Sequence, residues 1–429
     1  KADPEREEMC LLHVAAAGVV LNVTNDHKKI IEHAEVVGLP QIVGKLFCVA
    51  IANEMEADMA IRAVLQFQTH DGMLAEIAKG GGVPWLISSL VEASGDATQD
   101  MDVVGFEGES SSDDRESVAN ESTLIREILR EDSRLSSFAD ESIIADLMFL
   151  TEMRNLHFVG TAAIFISVIM GDDSCYNLIM GDHTNRDHQE KTLERFVTWI
   201  SYAKTFPKNW DPPSAGAIAI GNIARTGENA AWIADKPAVL NALIEMLRTD
   251  KSGFQFSALG AIKNIAILER NKKILVDAEI MDALMISLND SQAVLQYNAA
   301  SIVRSLCMNQ SDDVIQKIRS TEGLFDRLNH LGQQEEEAVR SEATRVFANI
   351  ARFSEVPLPQ SFSVAIPNVI TLGSSSHAIL KSESLVTLIR LTKSFRQQVC
   401  DGGALKLALT IVREKNIDHQ EERERERER

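Results

Sequence analysis

Aromatic residues make up only 5% of this 429-residue chain, which also holds just 10 prolines and 23 glycines. So few strand-favouring and turn-forming residues argue against a β-sandwich or barrel and suit long helices. Cysteine is scarce as well. Cys10, Cys48, Cys175, Cys307 and Cys400 lie far apart, are odd in number and include no CxxC pair, so neither a disulfide framework nor a zinc site is suggested. A reducing, cytoplasmic setting is the expectation. No apolar run approaches the roughly 20 residues that span a bilayer, and the chain opens on KADPEREE instead of a signal peptide. Because the first residue is Lys1, the native start is expected to lie further upstream. Positive charge is also in deficit: 43 Lys and Arg face 63 Asp and Glu, a formal net charge of −20. That balance opposes a nucleic-acid surface and makes a basic partner the natural complement.

Catalytic signatures are missing too. The sequence contains no GxSxG, GxxxxGK[ST], HExxH or Rossmann fingerprint, and the run Gly80, Gly81, Gly82 reads as a turn between helices. Asp182, His183, Asp187 and His188 form the one cluster that invites a metal, but no Cys or second ligand pair supports it, and a solvated loop is the better reading. Trp85, Trp199, Trp210 and Trp232 are scattered and read as packing residues. No cofactor is expected, and the chain does not read as an enzyme with its own active site.

What the sequence does contain is a repeat. AGAIAIGNIAR, ALGAIKNIAIL and EATRVFANIAR align without gaps and place Asn222, Asn264 and Asn349 at one helical position. The midpoint of the larger gap, NAASIVRSLC, puts Ser305 there; the same frame gives Asn22 and Gln66 upstream, Val168 in a degenerate copy and Arg390 downstream. Between these helices a short polar helix alternates with a longer apolar one. A period near 40 to 47 residues built from three helices marks armadillo solenoids, which predicts an all-α right-handed superhelix of about eight repeats. The period breaks between Gln66 and Val168. There the segment 96–116 holds eight carboxylates and one Arg and lacks helical periodicity, so it reads as a disordered acidic loop, either a partner-binding arm or a solubilising insertion. The helix after it is expected to be N-capped by Ser122. The expected organisation is therefore repeats over 1–93, an acidic insertion over 94–120, repeats over 121–412 and a charged tail over 413–429. Loop and the final EERERERER account for −7 and −1, leaving −12 on the repeats.

In such a stack the third helices line a groove. Residues four and seven before the ladder position lie on nearly the same face. The places four earlier hold Gly18, Arg62, Ile218, Gly260, Ser301, Arg345 and Val386; those seven earlier hold Ala15, Met59, Ala215, Ser257, Asn298, Glu342 and Glu383, a row that turns acidic toward the C-terminus. Two readings of the Asn ladder stand side by side: a clamp for a partner's backbone, or a set of bonds within the solenoid itself. The candidate partner-binding residues are Asn22, Gln66, Asn222, Asn264, Asn298, Ser305, Glu342, Arg345, Asn349, Glu383 and Arg390.

The strings AGAIAIGNIARTGENAAWIADKPAVLNALIEML, ALGAIKNIAILERNKKILVDAEIMDALMISL and IFISVIMGDDSCYNLIMG resemble the C-terminal two-thirds of the small-GTPase GDP-dissociation stimulator (SmgGDS-like) family, over about residues 9 to 412. That resemblance implies a chaperone and guanine-nucleotide exchange regulator of Rho- and Ras-family GTPases with polybasic C-terminal tails. The groove would engage the GTPase switches, with Asn222 and Asn264 in the family's groove positions, and an acidic surface would take the tail. It also implies a prenyl ligand. The repeats that bear the lipid pocket find no match here, which puts prenyl binding by this chain in doubt. The acidic insertion is likewise foreign to the family pattern. Importin-α-like recognition is disfavoured because Gly18, Ile218, Gly260 and Arg345 stand where it places Trp, and a β-catenin-like basic groove is opposed by the net charge. The alternative is a non-catalytic armadillo scaffold or adaptor in vacuolar, cytoskeletal or trafficking work.

Overall fold

The computed structural model describes residues 38–52, 58–96, 112–153, 155–181, 185–205, 211–354 and 357–413, with helical positions at 16 and 18–20. Every regular element among the described residues is helical, and the chain divides into two compact units, residues 1–222 and 223–429.

The first unit contains α1 (Leu39–Ala52), α2 (Asp58–Leu65), α3 (Asp71–Lys79), α4 (Gly82–Asp96), α5 (Ser112–Ile128), α6 (Asp132–Leu135), α7 (Glu141–Leu150), α8 (Leu156–Ile169), α9 (Asp173–Met180), α10 (Arg186–Thr205) and α11 (Asp211–Ile223). Side-chain caps set several starts: Asp140 accepts from the N–H of Ser142 and Ile143, Asn155 from His157, and Asp172 from Ser174 and Cys175. Each satisfies donors that a helix N-terminus leaves unpaired. The glycine run is the expected turn, since Gly81 sits at φ +85° between α3 and α4, a conformation that an L side chain strains to adopt.

Ser122 does not cap a helix. It lies buried inside α5, which starts at Ser112, and the neighbouring Thr123 Oγ1 already donates to the Ala119 carbonyl 2.8 Å away as an intrahelical bond. Burial of Leu124, Ile125 and Ile128, together with a 2.6 Å hydrogen bond from Ser89 to Glu121, anchors this helix from its C-terminal half. The end of the 94–120 segment is thus helical from 112 on, and residues 97–111 lie outside the described ones. In the repeat frame α5 is the third helix of the unit that the sequence period skipped. Its counterpart of the ladder position is Glu127, 41 residues before Val168.

The second unit repeats three helices with little variation: α12 (Gly227–Ala234), α13 (Pro237–Leu247) and α14 (Ser252–Ile265); α15 (Glu269–Asp277), α16 (Ile280–Leu288) and α17 (Ala293–Leu306); α18 (Asp312–Arg319), α19 (Leu324–Leu331) and α20 (Glu337–Phe353). A 3-10 turn over Gln360–Ala365, then α21 (Ile366–Leu372) and α22 (Ala378–Asp401), form the next, and a helix α23 over 404–413 follows. Helix α22 bends at Phe395, whose backbone leaves the helical region. The same polar staples recur at the repeat interval. Gln255, Gln296 and Arg340, near the start of successive third helices, each donate to a carbonyl six residues earlier, on Thr249, Asp290 and Gln334, at 2.7, 2.6 and 2.8 Å. Fully buried Asn271 donates back to Ala230 and Ile265 at 2.9 and 3.0 Å, tying α15 to the repeat before it. Around these staples the core is apolar, with Leu243, Leu284 and Leu328 sealed from solvent and Phe325, Phe347 and Phe362 packed ring to ring at 5.1–5.8 Å. Stacking removes each repeat's apolar end from water, so neighbours supply stability that a single unit lacks.

Candidate protein-binding wall

Three ladder residues are donors to the backbone of the preceding repeat. Asn222 Nδ2 donates to the Ser167 carbonyl at 2.9 Å, Ser305 Oγ to Ala266 at 3.0 Å, and Asn349 Nδ2 to Arg304 at 3.0 Å. Each accepting carbonyl lies at the C-terminal end of the previous third helix, where carbonyls have no intrahelical partner. Of the two readings of the ladder, the solenoid's own bonding describes these three positions. Asn264 occupies the same place, half-buried, and Gln66 is half-buried just past α2. Asn298 donates at 2.9 Å to Val294 of its own helix. Arg390 is exposed, and Asn22 lies outside the described residues.

Most of the row seven places before the ladder is turned inward, while Asn298 and Glu383 are half-buried. Ala215, Ser257 and Glu342, all seven residues before the ladder, are 0%, 8% and 6% exposed. At ~100° per residue, that place falls ~20° to one side of the ladder residue, while the places four and eight earlier fall ~40° and ~80° to the other. In the second unit exposure lies mainly on the second side, although Ser301, four before Ser305, is buried. Phe256, Gly260, Ile267, Val294, Arg352 and Val386 are exposed, and a Cβ placed on Gly260 would meet no atom within 4 Å.

Glu342 and Glu383 are also neutralised where they stand. Arg304 Nε reaches Glu342 at 2.6 Å, Arg345 Nη1 reaches the other Glu342 oxygen at 2.7 Å, and Arg345 bonds Glu383 bidentately at 2.7 and 3.0 Å. The hydrogen bonds to Glu383, with the Coulomb field of both carboxylates, raise the Arg345 pKa against the cost of burial. This Arg304–Glu342–Arg345–Glu383 chain runs across α17, α20 and α22, and Lys263 of α14 lies 5.6 Å over the Tyr297 ring of α17. The four third helices therefore present one surface. Counted over all their faces, they carry nine Lys and Arg against four Asp and Glu, so in place of the expected acidic groove the third helices of residues 223–429 are net basic. Net charge averages over the whole chain, and it hid this.

Arg352 and Arg390 have no carboxylate partner among the described residues; Arg352 lies 5.4 Å over the Phe353 ring. Between α20 and α22 a cleft of about 200 Å³ opens, lined by Ala348, Asn349, Arg352, Ser382, Glu383, Val386 and Thr387. A second cleft, near 320 Å³, lies against the polar residues Arg340, Ser341, Thr344 and Asn368.

The buried thiols are not activated as nucleophiles. Burial pushes the thiols of Cys48, Cys175 and Cys307 up, to about 11, 12 and 12, which keeps them protonated at neutral pH. Among the described residues no three His, Cys, Asp or Glu gather as metal ligands. His188 sits with Nε2 2.9 Å from the Ile179 carbonyl and Asp187 pairs with Lys191 at 2.8 Å, while Asp182 and His183 lie outside the described residues. Trp199 is buried against Phe196 and Trp85 meets the Phe47 edge, both as packing residues; Trp210 is outside the described set. No helix among the described residues is long and apolar enough to cross a membrane.

An all-α chain of stacked three-helix units with an exposed third-helix face is a repeat protein of the armadillo type. No family model matches the chain. Among curated proteins it is similar to the Rap1 GTPase-GDP dissociation stimulator 1-A of Xenopus laevis, 25% identical over 232 residues that make up 52% of this chain and 36% of that protein. It is similar also to the GTPase-GDP dissociation stimulator vimar of Drosophila melanogaster, 18% identical over 57% of this chain and 42% of that one. The chain thus spans well under half the length of these relatives. Among solved structures, an engineered protein superimposes with a TM-score of 0.65 at 19% identity, over 92% of this chain and 90% of that one, which is a likeness of fold. A designed armadillo repeat protein solved with the peptide (KR)4 gives 0.43 at 19% identity over 50% of this chain and 89% of that one.

Proposed function

We propose that this chain regulates small GTPases of the Rho and Ras type, as a cytoplasmic nucleotide-exchange factor and chaperone for members with polybasic C-terminal tails. The observation that carries the reading is the 232-residue similarity to proteins named GDP dissociation stimulators. Charge supports it. Residues 1–222 hold 36 carboxylates against 17 Lys and Arg, a field that attracts and steers a basic tail. In this reading the third helices of the second unit, around Asn264, Ser305, Arg345 and Asn349, meet the body of the GTPase. Exchange then needs no acid or base, because tighter binding of the nucleotide-free GTPase than of the loaded form is sufficient to drive release.

The test is release of fluorescent GDP from a Rho-type GTPase, with its basic tail intact or removed, in the presence of the chain. Acceleration is expected with the intact tail, weakening as salt screens the field. Equal release with and without the chain, together with equal capture of GDP-loaded and nucleotide-free GTPase, overturns the reading in favour of a scaffold.

A further inference from the structure

We propose that the third-helix wall of residues 223–429 docks an extended acidic segment of a protein partner, whose carboxylates meet Arg352 and Arg390 and whose apolar side chain enters the cleft between α20 and α22. The inference does not require the partner to be a GTPase. It starts from the charge left over after the wall's own pairs are made. Arg304, Glu342, Arg345 and Glu383 neutralise one another, so they organise the surface without attracting a ligand. Arg352 and Arg390 remain, exposed and with no carboxylate partner among the described residues. Arg352 lines the cleft, and Arg390 stands one turn beyond Val386 on the same face of α22. Ala348 and Thr387, whose hydroxyl is spent on the Glu383 carbonyl, are buried at the base of the cleft and Val386 at its edge is 42% exposed; Asn349, Ser382 and the Arg345-paired Glu383 also line it.

Its size argues for a side chain. At about 200 Å³ it is smaller than the roughly 300–1,000 Å³ of sites that hold cofactors or small molecules. A peptide that alternates carboxylates with an apolar residue matches both features, and two charge-assisted Arg–carboxylate contacts would fix its register. A nucleic acid offers the negative charge without an apolar side chain, and the 36 carboxylates of residues 1–222 oppose a long polyanion.

The experiment uses the full chain and a fluorescein-labelled 12-residue peptide in which pairs of Glu flank single Leu residues, followed by anisotropy. Comparison probes replace Glu by Lys, replace Leu by Gly, or substitute a 12-nucleotide single-stranded DNA. The Glu–Leu peptide is expected to bind, more weakly as salt rises, and the Lys peptide to bind less. Arg352→Glu with Arg390→Glu should raise the Kd at least tenfold, and the milder pair Arg352→Gln with Arg390→Gln should raise it by a smaller factor with the circular dichroism spectrum unchanged. Val386→Trp, which fills the cleft, should weaken the Glu–Leu peptide but leave the Glu–Gly peptide unaffected. The proposal is overturned by absent binding of the Glu–Leu peptide, by equal or tighter binding of the Lys peptide, by arginine variants that stay within twofold, or by DNA that binds as tightly and loses affinity in step with them.

Discussion

The same repeat position carries opposite charge in the two units. In residues 1–222 the third helices α2, α5, α8 and α11 hold seven Asp and Glu against three Lys and Arg; in residues 223–429 their counterparts hold four against nine. The chain's formal charge of −20 divides correspondingly, −19 on the first unit and −1 on the second. The charge of the third helices is therefore set separately in each unit. Stacking requires only that the buried faces be apolar and the staples be satisfied, which leaves exposed positions free to vary in sign. Each unit holds ion pairs of more than one kind. In the first unit the Glu152 side chain that Arg195 meets is largely exposed while Arg134, paired with Asp71, is buried; in the second, Glu342 is buried and shared by two arginines while Arg270 and Asp235 pair in the open.

The largest expected effect comes from breaking the second unit's packing. Phe347→Ala, at the centre of the three-ring cluster, should lower stability by about 3–5 kcal/mol, read by urea denaturation, with amide exchange rising first in residues 223–429. Next comes the contrast in ion pairs. Glu342→Ala leaves the Arg304 guanidinium without its carboxylate and Arg345 with Glu383 alone, and should cost about 2–4 kcal/mol, while Glu152→Ala, on an exposed pair, should cost under about 1 kcal/mol. Equal losses would erase the distinction between the buried and the exposed pair. A feature the units share should respond alike: Asn222→Ala and Asn349→Ala each orphan a helix-end carbonyl and should each cost about 1–2 kcal/mol, with helical content retained. If either variant instead weakened partner binding at unchanged melting temperature, that side chain would belong to the partner surface.

The smallest effect is a pH slope. Lys272 of α15 is 5% exposed, donates to the Met308 carbonyl at 3.0 Å, and has its pKa lowered from 10.5, first by desolvation. Between the folded pKa and 10.5 the unfolded chain holds more protons, so this group's contribution to stability grows as pH rises through that window. The melting-temperature difference between wild type and Lys272→Met should accordingly shift in favour of wild type as pH rises toward 10.5.

Much of the fold could be read from the chain because a repeat states its pattern several times. Asn222, Asn264, Ser305 and Asn349 mark third helices at nearly regular intervals, and the structure places a helix at each. Glu127 escaped because the acidic stretch pushed its helix out of register. Counting back one period from Val168 would have found it. Ser122 misled for a related reason: a Ser before an apolar run looks like a cap whether or not the helix has already begun. The wall was less legible. Glu342 and Glu383 appeared as an acidic gradient because their partners Arg304 and Arg345 belong to other rows of the frame. Arg304 lies 38 residues from Glu342 and Arg345 lies 38 from Glu383, across helix boundaries.

By itself the sequence determined the helical repeat, its three-helix unit and the uneven distribution of charge along the chain, since periodicity and composition are properties of residue order. Tertiary structure decided which face of each third helix meets solvent, which carboxylates are cancelled by arginines one repeat away, and which arginines are left over. Those outcomes depend on a rotation of a few tens of degrees about each helix axis and on distances of about 3 Å between residues far apart in the chain.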